Sequence, residues 1–256
     1  MRWLMASDLS AEEQLHFSTA DSTLSLKGEL INDSKTNYTQ RIKIGDQHYY
    51  VKRYLIPGKH LRKFFGSSRV GREWRNLNWF RNNGIPTPRV IAMGEGGRWS
   101  SQYWGVIVTV EAPQTIDLRK IYQNQPELLK NRKWLRKAIV KLASAIAEMH
   151  KKRFLHNDLQ WRNVLISYPN EPEVYLIDCP AGRSIYLWGN RRGVVRDLAF
   201  LDKMAKAALS RTDRLRFYML YKNVNRLRES EKQEIRRILN FLLNKKGNRS
   251  AQIECS

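Results

Sequence analysis

The sequence has few cysteines, no long apolar run and a shortage of acidic residues. Among 256 residues only Cys179 and Cys255 are cysteines, too few for a disulfide framework, and none of the zinc-site spacings occurs. An uninterrupted apolar window of about 18 residues, the length that spans a bilayer, is also missing. The first stretch, "MRWLMASDLSAEEQLHF", has no apolar segment before its acidic pair, which argues against a secretory signal. Together these absences predict a cytoplasmic protein.

The shortage of acidic residues leaves a large positive charge. The chain has 46 Lys and Arg against 24 Asp and Glu, a formal net charge of +22 at pH 7. Such an excess predicts attraction to a polyanion: nucleic acid, an anionic membrane or a phosphorylated substrate. Basic blocks, such as residues 58–65 and 243–249, spread the charge along the chain rather than onto one arm. Because no aromatic and basic recognition motif accompanies them, we expect no nucleic-acid partner.

The first half of the chain predicts a small antiparallel sheet with one helix. Short strand-like runs, separated by turn residues, cover residues 23–31, 39–44, 48–56, 89–95 and 103–112. The stretch "SSRVGREWRNLNWFRNNG" (67–84) predicts a helix that ends at Gly84, just before Pro86. The helix is therefore inserted after the third strand.

The second half is predicted to be mainly helical. In "WLRKAIVKLASAIAEMH" (134–150) apolar residues recur with the helical period along one stripe. Two short apolar strands follow at residues 163–166 and 174–178, and the pattern is helical again from about residue 195. We therefore predict an α+β protein with a strand-rich N-terminal lobe, residues 1–111, and a helical C-terminal lobe, residues 112–256.

The stretch "RFLHNDLQWRNVLI" (153–166) carries the clearest chemical signal. Taken singly, His156, Asp158 and Asn163 are compatible with an ordinary turn before a strand. Asn163, however, follows Asp158 by five positions, which is the spacing of a kinase catalytic loop. Asp178, after the next strand, falls where a second magnesium-binding residue belongs. This order predicts that Asn163 and Asp178 hold Mg²⁺ and that Asp158 accepts the proton of the attacking hydroxyl.

Lys52 and Glu73 supply an independent signal in the first half. Lys52 lies in "YYVKRY" on the third strand, where a solvated edge lysine is the alternative. Glu73 shares the inward stripe of the predicted helix with Val70 and Leu77. Because a buried carboxylate without a partner costs on the order of 3–5 kcal/mol, Glu73 needs a cation. We predict that Lys52 is that cation and that it grips the nucleotide phosphates, as in kinases.

These residues and their surroundings resemble the lipopolysaccharide kinase family, bacterial enzymes that phosphorylate Kdo or heptose in the inner core. The resemblance runs from about residue 25 to about residue 205. It rests on "YYVKRY", "REWRNLNWFRNNGIPTP", "VIVTVEAPQTIDL", "FLHNDLQWRNVLI", "VYLIDCPAGR" and "RDLAFL". It implies a protein-kinase-like two-lobe fold, ATP and Mg²⁺ as cofactors, and a sugar hydroxyl of lipopolysaccharide as acceptor. It also implies that Glu111 and Ala112 contact adenine through their backbone.

The resemblance suggests a function for the positive charge. The inner core of lipopolysaccharide is anionic and is assembled at the cytoplasmic face of the inner membrane. Lys and Arg near an anionic surface each contribute roughly 1 kcal/mol, so a modest cluster would hold the protein there reversibly. We therefore expect the lipopolysaccharide core and the anionic inner-membrane surface as partners, with the protein peripheral on the membrane's cytoplasmic side.

The sequence departs from protein kinases at several points. The segment "LINDSKTNYTQR" lacks the glycine-rich run that covers the nucleotide phosphates in protein kinases. Cys179 replaces the phenylalanine of the D-F-G motif, and we interpret it as a small buried hydrophobic residue. Asp197 follows Asp178 by only 19 positions, which favours a small or glycolipid acceptor over a protein. Asp197 itself fits either a helix cap or a tie to the catalytic loop. A minimal Ser/Thr/Tyr protein kinase and a non-catalytic kinase-fold scaffold are the alternatives.

Overall fold

The predicted helices are present, and further short helices occur near the N-terminus and between residues 118 and 130. The computed structural model describes residues 1–56, 67–97, 102–168, 171–185 and 191–253, with side chains as far as residue 243. The basic block at residues 58–65, nearly all of that at 243–249, and Cys255 lie outside these described side chains. The helices are α1 (Ala11–Phe17), α2 (Ala20–Ser25), α3 (Arg69–Asn82), α4 (Leu118–Asn124), α5 (Pro126–Lys130), α6 (Arg132–Lys151), α7 (Arg191–Ala208), α8 (Arg211–Lys222) and α9 (Glu229–Ile253).

The strands fall into one large sheet and two small ones, all paired antiparallel. They are β1 (Arg2–Met5), β2 (Glu29–Ser34), β3 (Asn37–Ile44), β4 (Gln47–Tyr54), β5 (Val90–Gly96), β6 (Trp104–Val110), β7 (Thr115–Asp117), β8 (Phe154–Leu155), β9 (Val164–Ser167), β10 (Val174–Leu176) and β11 (Arg183–Ser184). The large sheet has the order β1-β5-β6-β4-β3-β2, and the small sheets are β10-β9-β7 and β11-β8. The antiparallel sheet with one helix after its third predicted strand is thereby confirmed.

Each face of the large sheet is covered by a different layer. On one face, Phe17 of α1 packs with the buried side chains Tyr49, Val51, Ile91 and Val106. On the other side α3 packs against β5 and β6. Helix α3 begins at Ser68, whose hydroxyl accepts a hydrogen bond from the Gly71 N–H, and it buries Val70, Glu73, Leu77 and Phe80 along one stripe. The predicted inward position of Glu73 is correct.

The prediction of a strand over residues 23–31 is wrong in its first half. Residues 20–25 form α2, and β2 begins only at Glu29. The apolar residues of "TLSL" alternate as in a strand, but the Thr19 hydroxyl accepts a hydrogen bond from the Ser22 N–H and starts a helix instead. Strand β2 lies at an edge of the large sheet, and its register with β3 shifts between Leu30 and Asn32, which leaves Ile31 as a bulge.

Strand β1 and helix α1 were not predicted at all. The signal for α1 was present, because Ser10 and Glu13 form a capping box in which each side chain accepts from the other residue's N–H. Strand β1 pairs with β5, and the Trp3 indole donates to the Phe17 carbonyl at 3.2 Å. The N-terminal segment therefore extends the sheet and covers one of its faces.

The second half is mainly helical, as predicted. Helix α6 buries Leu135, Ile139, Ile146 and Met149 along the expected stripe, and Leu142 of that stripe is partly exposed. No helix in the described ranges is long and apolar enough to cross a membrane. The α+β class, with a sheet-rich first half and a helical second half, is confirmed.

The chain forms two compact units. One contains residues 1–113 and 178–181, and the other contains residues 114–177 and 182–256. The short segment that begins at Asp178 therefore belongs with the large sheet. The assignment of nucleotide binding to residues 1–111 and of catalysis to residues 112–256 stays a prediction.

Candidate active site

Strand β4 carries Lys52 on the side of the sheet opposite the Phe17 layer. Alternation places Tyr49 and Val51 in the buried cluster around Phe17, and Lys52 on the other face with Tyr50 and Tyr54. Helix α3 presents Glu73 from its buried stripe. The elements that position the two residues are thus the ones that the sequence predicted.

Lys52 contacts two carboxylates at once. Its Nζ lies 3.2 Å from both Oε1 and Oε2 of Glu73 and 2.6 Å from Oδ1 of Asp178. The Glu73 side chain is 5% exposed and that of Lys52 is 15% exposed, so these charges interact largely out of water. The predicted pairing of Lys52 with Glu73 is present, and Asp178 joins it.

Tyr54 is a further member of this group that sequence reasoning missed. Its hydroxyl donates a hydrogen bond to Oε2 of Glu73, and its ring centroid lies 5.2 Å from the Lys52 Nζ. The Arg69 guanidinium lies 5.7 Å from the same ring. The available signal was position: Tyr54 follows Lys52 by two residues on a strand and therefore shares its face.

Burial and charge shift the protonation of this group. Burial raises the pKa of Glu73 to about 7; the positive charge of Lys52 opposes this rise, and Asp178 adds to it. Burial acts to lower the pKa of Lys52, but Glu73 and Asp178 together raise it above its ordinary value. Lys52 is therefore a cation at neutral pH, and Glu73 lies close to its titration point.

Asp178 sits on an unusual piece of backbone. Its φ is 53°, in the left-handed region that non-glycine residues seldom adopt, although aspartate tolerates it better than most. The next residue, Cys179, is buried, as predicted, and its carbonyl accepts a hydrogen bond of 2.6 Å from Nδ2 of Asn76. Asn76 lies three positions beyond Glu73 on α3, so the same helix that carries the glutamate also fixes the segment with the aspartate.

In the other unit the catalytic-loop pattern brings Asp158 and Asn163 together. Asn163 Nδ2 donates to the Asp158 backbone carbonyl at 2.8 Å and to its Oδ2 at 3.2 Å. A 3-10 turn at Trp161–Asn163 shortens the path between the two residues. Both hydrogen bonds use the amide nitrogen of Asn163, whereas the atom by which an asparagine binds a metal is its oxygen.

Two neighbours of Asp158 were not predicted. Gln160 Nε2 donates to Oδ1 of Asp158, and Arg162 Nη2 donates to Oδ2 at 3.1 Å. The Asp158 side chain is 29% exposed and that of Arg162 is 44% exposed. The carboxylate is therefore held in one orientation while remaining open to water, as a group that meets a substrate hydroxyl needs to be.

Asp197 fixes the backbone of the loop just before Asp158. It lies inside α7, fully buried, and accepts hydrogen bonds from the N–H groups of His156 at 2.8 Å and Asn157 at 2.9 Å. Its Oδ2 also lies 3.4 Å from Nε2 of His150. Of the two readings of Asp197, the tie to the catalytic loop is the one observed, and the helix cap is not.

The resemblance implied a role for the Glu111 backbone, but the structure also gives its side chain several hydrogen bonds. Its carboxylate accepts hydrogen bonds from Arg41 Nη2 at 2.7 Å and from the Tyr50 hydroxyl at 2.8 Å. Its own N–H donates to the His48 carbonyl at 2.8 Å. An adenine contact by the Glu111 backbone would therefore involve its carbonyl oxygen.

The predicted magnesium ligands fit that ion by their chemistry. Asp178 offers a carboxylate that is 31% exposed, and Asn163 offers an amide oxygen, both hard donors. In the described part of the chain no cluster of three or more His, Cys, Asp or Glu side chains could hold a metal alone. Proteins usually give Mg²⁺ only one or two carboxylates, and the ion takes its remaining oxygens from phosphates and water.

We compared the chain with models of protein families, with curated protein sequences and with solved structures. The model of the "Lipopolysaccharide kinase (Kdo/WaaP) family" matches residues 22–221, well over half of the chain. No curated protein sequence matches. The chain is similar to a solved structure described as "WaaP in complex with acyl carrier protein", with a TM-score of 0.70 and 22% sequence identity. That similarity covers 96% of this chain and 98% of the other, and it shows a common fold.

Proposed function

Because the chain belongs to the lipopolysaccharide kinase (Kdo/WaaP) family, we propose that it transfers phosphate from ATP to a hydroxyl of an inner-core sugar, heptose or Kdo. The observation that carries the proposal is the contact of Lys52 with both Glu73 and Asp178. A strand lysine paired with a buried helix glutamate, next to an aspartate that can bind Mg²⁺, is the arrangement that protein kinases use for phosphoryl transfer.

Each residue has one task in this reaction. Lys52, oriented by Glu73, binds the α- and β-phosphates of ATP, and Asp178 and Asn163 hold Mg²⁺, which when bound neutralises phosphate oxygens. Asp158 hydrogen-bonds the acceptor hydroxyl and receives its proton. The hydroxyl oxygen forms a bond to the γ-phosphorus while the bond from that phosphorus to the bridging oxygen breaks, and ADP leaves.

The turn between β2 and β3 supports a larger role for Lys52 than in protein kinases. This turn has Lys35 and Thr36 at its centre and no glycine, and the Ser34 hydroxyl closes it by accepting from the Asn37 N–H at 3.2 Å. Because no glycine-rich backbone surrounds the phosphates, Lys52 and the metal neutralise a larger share of the phosphates' negative charge.

We also propose a cytoplasmic protein held peripherally on the inner face of the membrane. The support is the net charge of +22 together with exposed basic residues on α6, such as Lys133 and Arg136. An anionic glycolipid acceptor and an anionic membrane surface would attract the same charges.

A direct assay tests the proposed acceptor. Purified protein with ATP and Mg²⁺ should phosphorylate lipopolysaccharide faster than casein, and the Asp158→Asn variant should lose this transfer. In cells, mass spectrometry should find one phosphate fewer on the core oligosaccharide when the gene is absent. A preference for casein would favour a protein kinase, and ATP binding without any transfer would favour a scaffold.

A further inference from the structure

We infer that Tyr54 is a positioning residue, which holds the Glu73 carboxylate in the orientation that keeps Lys52 available for nucleotide phosphates. The inference rests on the proposed kinase function and adds a residue to it. Tyr54 is 1% exposed, and its hydroxyl donates to Oε2 of Glu73. Its ring also lies beside the ammonium group, with 5.2 Å between the ring centroid and Nζ of Lys52.

Glu73 and Lys52 alone would define this geometry poorly. A lysine ammonium is a compact point charge on a flexible stem, so its attraction for a carboxylate has little directional preference. Lys52 is also drawn away from Glu73, because its Nζ lies 2.6 Å from Asp178 but 3.2 Å from each Glu73 oxygen. The tyrosine hydroxyl adds a directional hydrogen bond to one carboxylate oxygen, and that bond does not depend on where the ammonium points.

The tyrosine itself has little freedom to move. It is the last residue of β4, a strand with a neighbour on each side, and it pairs with Asn37 of β3 and Gly105 of β6. The Arg69 guanidinium lies 5.7 Å from its ring. Because β4 fixes Tyr54, its hydroxyl holds the Glu73 carboxylate of α3 at a defined place relative to the strand.

The same strand provides a matched control. Tyr49 is 3% exposed, and its hydroxyl also donates to a buried glutamate, Oε1 of Glu13, at 3.1 Å. Glu13 also has a cationic partner, Arg89. This second group lies on the face of the sheet that carries Phe17 and has no part in the proposed site. Tyr49→Phe thus removes the same chemical group from the same strand without touching Lys52.

The experiment measures ATP affinity in the presence of Mg²⁺ by calorimetry, together with thermal melting. Tyr54→Phe should weaken ATP binding about tenfold, because a hydrogen bond to a charged group is lost. Tyr49→Phe should lower the melting temperature comparably and leave ATP affinity unchanged. In a Glu73→Ala background, Tyr54→Phe should weaken ATP binding no further, because its effect is transmitted through that carboxylate.

The outcomes separate this inference from the function on which it rests. If the unaltered chain binds no ATP, both fail; if it binds ATP and Tyr54→Phe binds equally well, only the inference fails. Should Tyr54→Phe not fold, 3-fluorotyrosine at position 54 keeps both ring and hydroxyl. Its fluorine resonance should then move when ATP and Mg²⁺ are added, while that of 3-fluorotyrosine at position 49 should not. An unmoved resonance at position 54 would overturn the inference.

Discussion

At the scale of single residues, the three carboxylates with proposed roles have three different environments. Glu73 is buried against Lys52, Asp178 shares that lysine but is more exposed, and Asp158 is held by Gln160 and Arg162. Environment determines what a carboxylate does, because burial and neighbouring charges set both its protonation and its access to ligands. The same substitution should therefore have different consequences at the three positions.

Replacing Asp158 and Asp178 by asparagine should separate proton acceptance from metal binding. Asp158→Asn keeps the shape but removes the base, so turnover should fall about 10²–10⁴-fold while magnesium-dependent ATP binding persists. Asp178→Asn should weaken that binding as well as turnover, because a neutral amide is a poorer ligand for a hard dication. ATP titrations with and without Mg²⁺ measure the difference. The opposite pattern would show that the two roles have been exchanged.

Glu73 should make the stability of the protein depend on pH. It titrates near 4.5 when unfolded and near 7 when folded, so between these values the folded chain retains a proton that the unfolded chain has released. The contribution of this group is thus complete below pH 4.5 and is lost as the pH rises towards 7. Glu73→Gln stays neutral throughout and should lack this loss.

The measurement is urea unfolding of both proteins at two pH values, one below and one above the titration of folded Glu73. Between about pH 5 and pH 7.5 the unfolding free energy of the unaltered protein should fall relative to Glu73→Gln by on the order of 1–3 kcal/mol. Equal changes in the two proteins would contradict the assigned burial of charge at Glu73.

Sequence reasoning selected five candidate site residues because each lies at a position defined by spacing or by a helix stripe: Lys52, Glu73, Asp158, Asn163 and Asp178. It could pair Lys52 with Glu73, since a buried carboxylate needs a cation. It did not find Tyr54 or Asn76, because their roles depend on side-chain directions that arise only when strand and helix are packed. Nor did it find the contact of Lys52 with Asp178, which joins positions 126 residues apart.

At the scale of elements, α7 supports the loop that contains Asp158. Asp197, in the interior of this helix, accepts two backbone hydrogen bonds from the loop residues just before Asp158. Asp202 lies on the same helix and accepts two hydrogen bonds of 2.6 Å each from Arg214 of α8. One helix therefore carries two paired aspartates, of which only the first contacts the loop.

Asp197→Asn should reduce turnover strongly, and Asp202→Asn should not. In Asp197→Asn an amide NH₂ replaces one of the two acceptor oxygens and faces a backbone N–H, so the loop should lose its fixed geometry. Both variants should lower the free energy of unfolding by about 1–3 kcal/mol, since each breaks a hydrogen bond to a charged group. Initial rates well below the melting temperature measure the contrast. Equal activities of the two variants would mean that α7 only stabilises the fold.

The elements that sequence reasoning missed include β1, α1 and α2 near the N-terminus and the short elements β7, α4 and α5 further along the chain. Residues 2–5 and 11–17 are short, and a strand of four residues cannot be distinguished by periodicity from an irregular segment. The misread stretch at 23–31 shows a related difficulty, because a single cap at Thr19 outweighed an alternating pattern. Long elements with a complete stripe, such as α3 and α6, were predicted to within a few residues.

At the scale of the whole molecule, the positive charge is the dominant property. Several lysines and arginines have acidic partners, such as Lys141 with Glu173 and Arg214 with Asp202. The 24 acidic residues cannot neutralise 46 basic ones, however, so the protein keeps a net charge of +22. A surface of this kind binds anionic assemblies through many weak contacts rather than through one site.

Binding to vesicles should therefore depend steeply on salt. Vesicles that contain anionic lipid should sediment with the protein at low ionic strength, and the bound fraction should fall steeply as salt is added, because exposed charges are screened over about 8–10 Å at physiological salt. Vesicles of neutral lipid provide the control and should bind little. Salt-independent binding, or equal binding to neutral vesicles, would contradict an electrostatic attachment.

The bulge at Ile31 in β2 has a consequence for how the protein behaves at high concentration. An edge strand offers unpaired N–H and C=O groups, and a second molecule can add its own strand there and start an aggregate. The extra residue between Leu30 and Asn32 interrupts the regular spacing of those groups, and Glu29 and Asp33 place negative charge along the same strand. Both features therefore oppose the addition of a strand from a second copy at this edge.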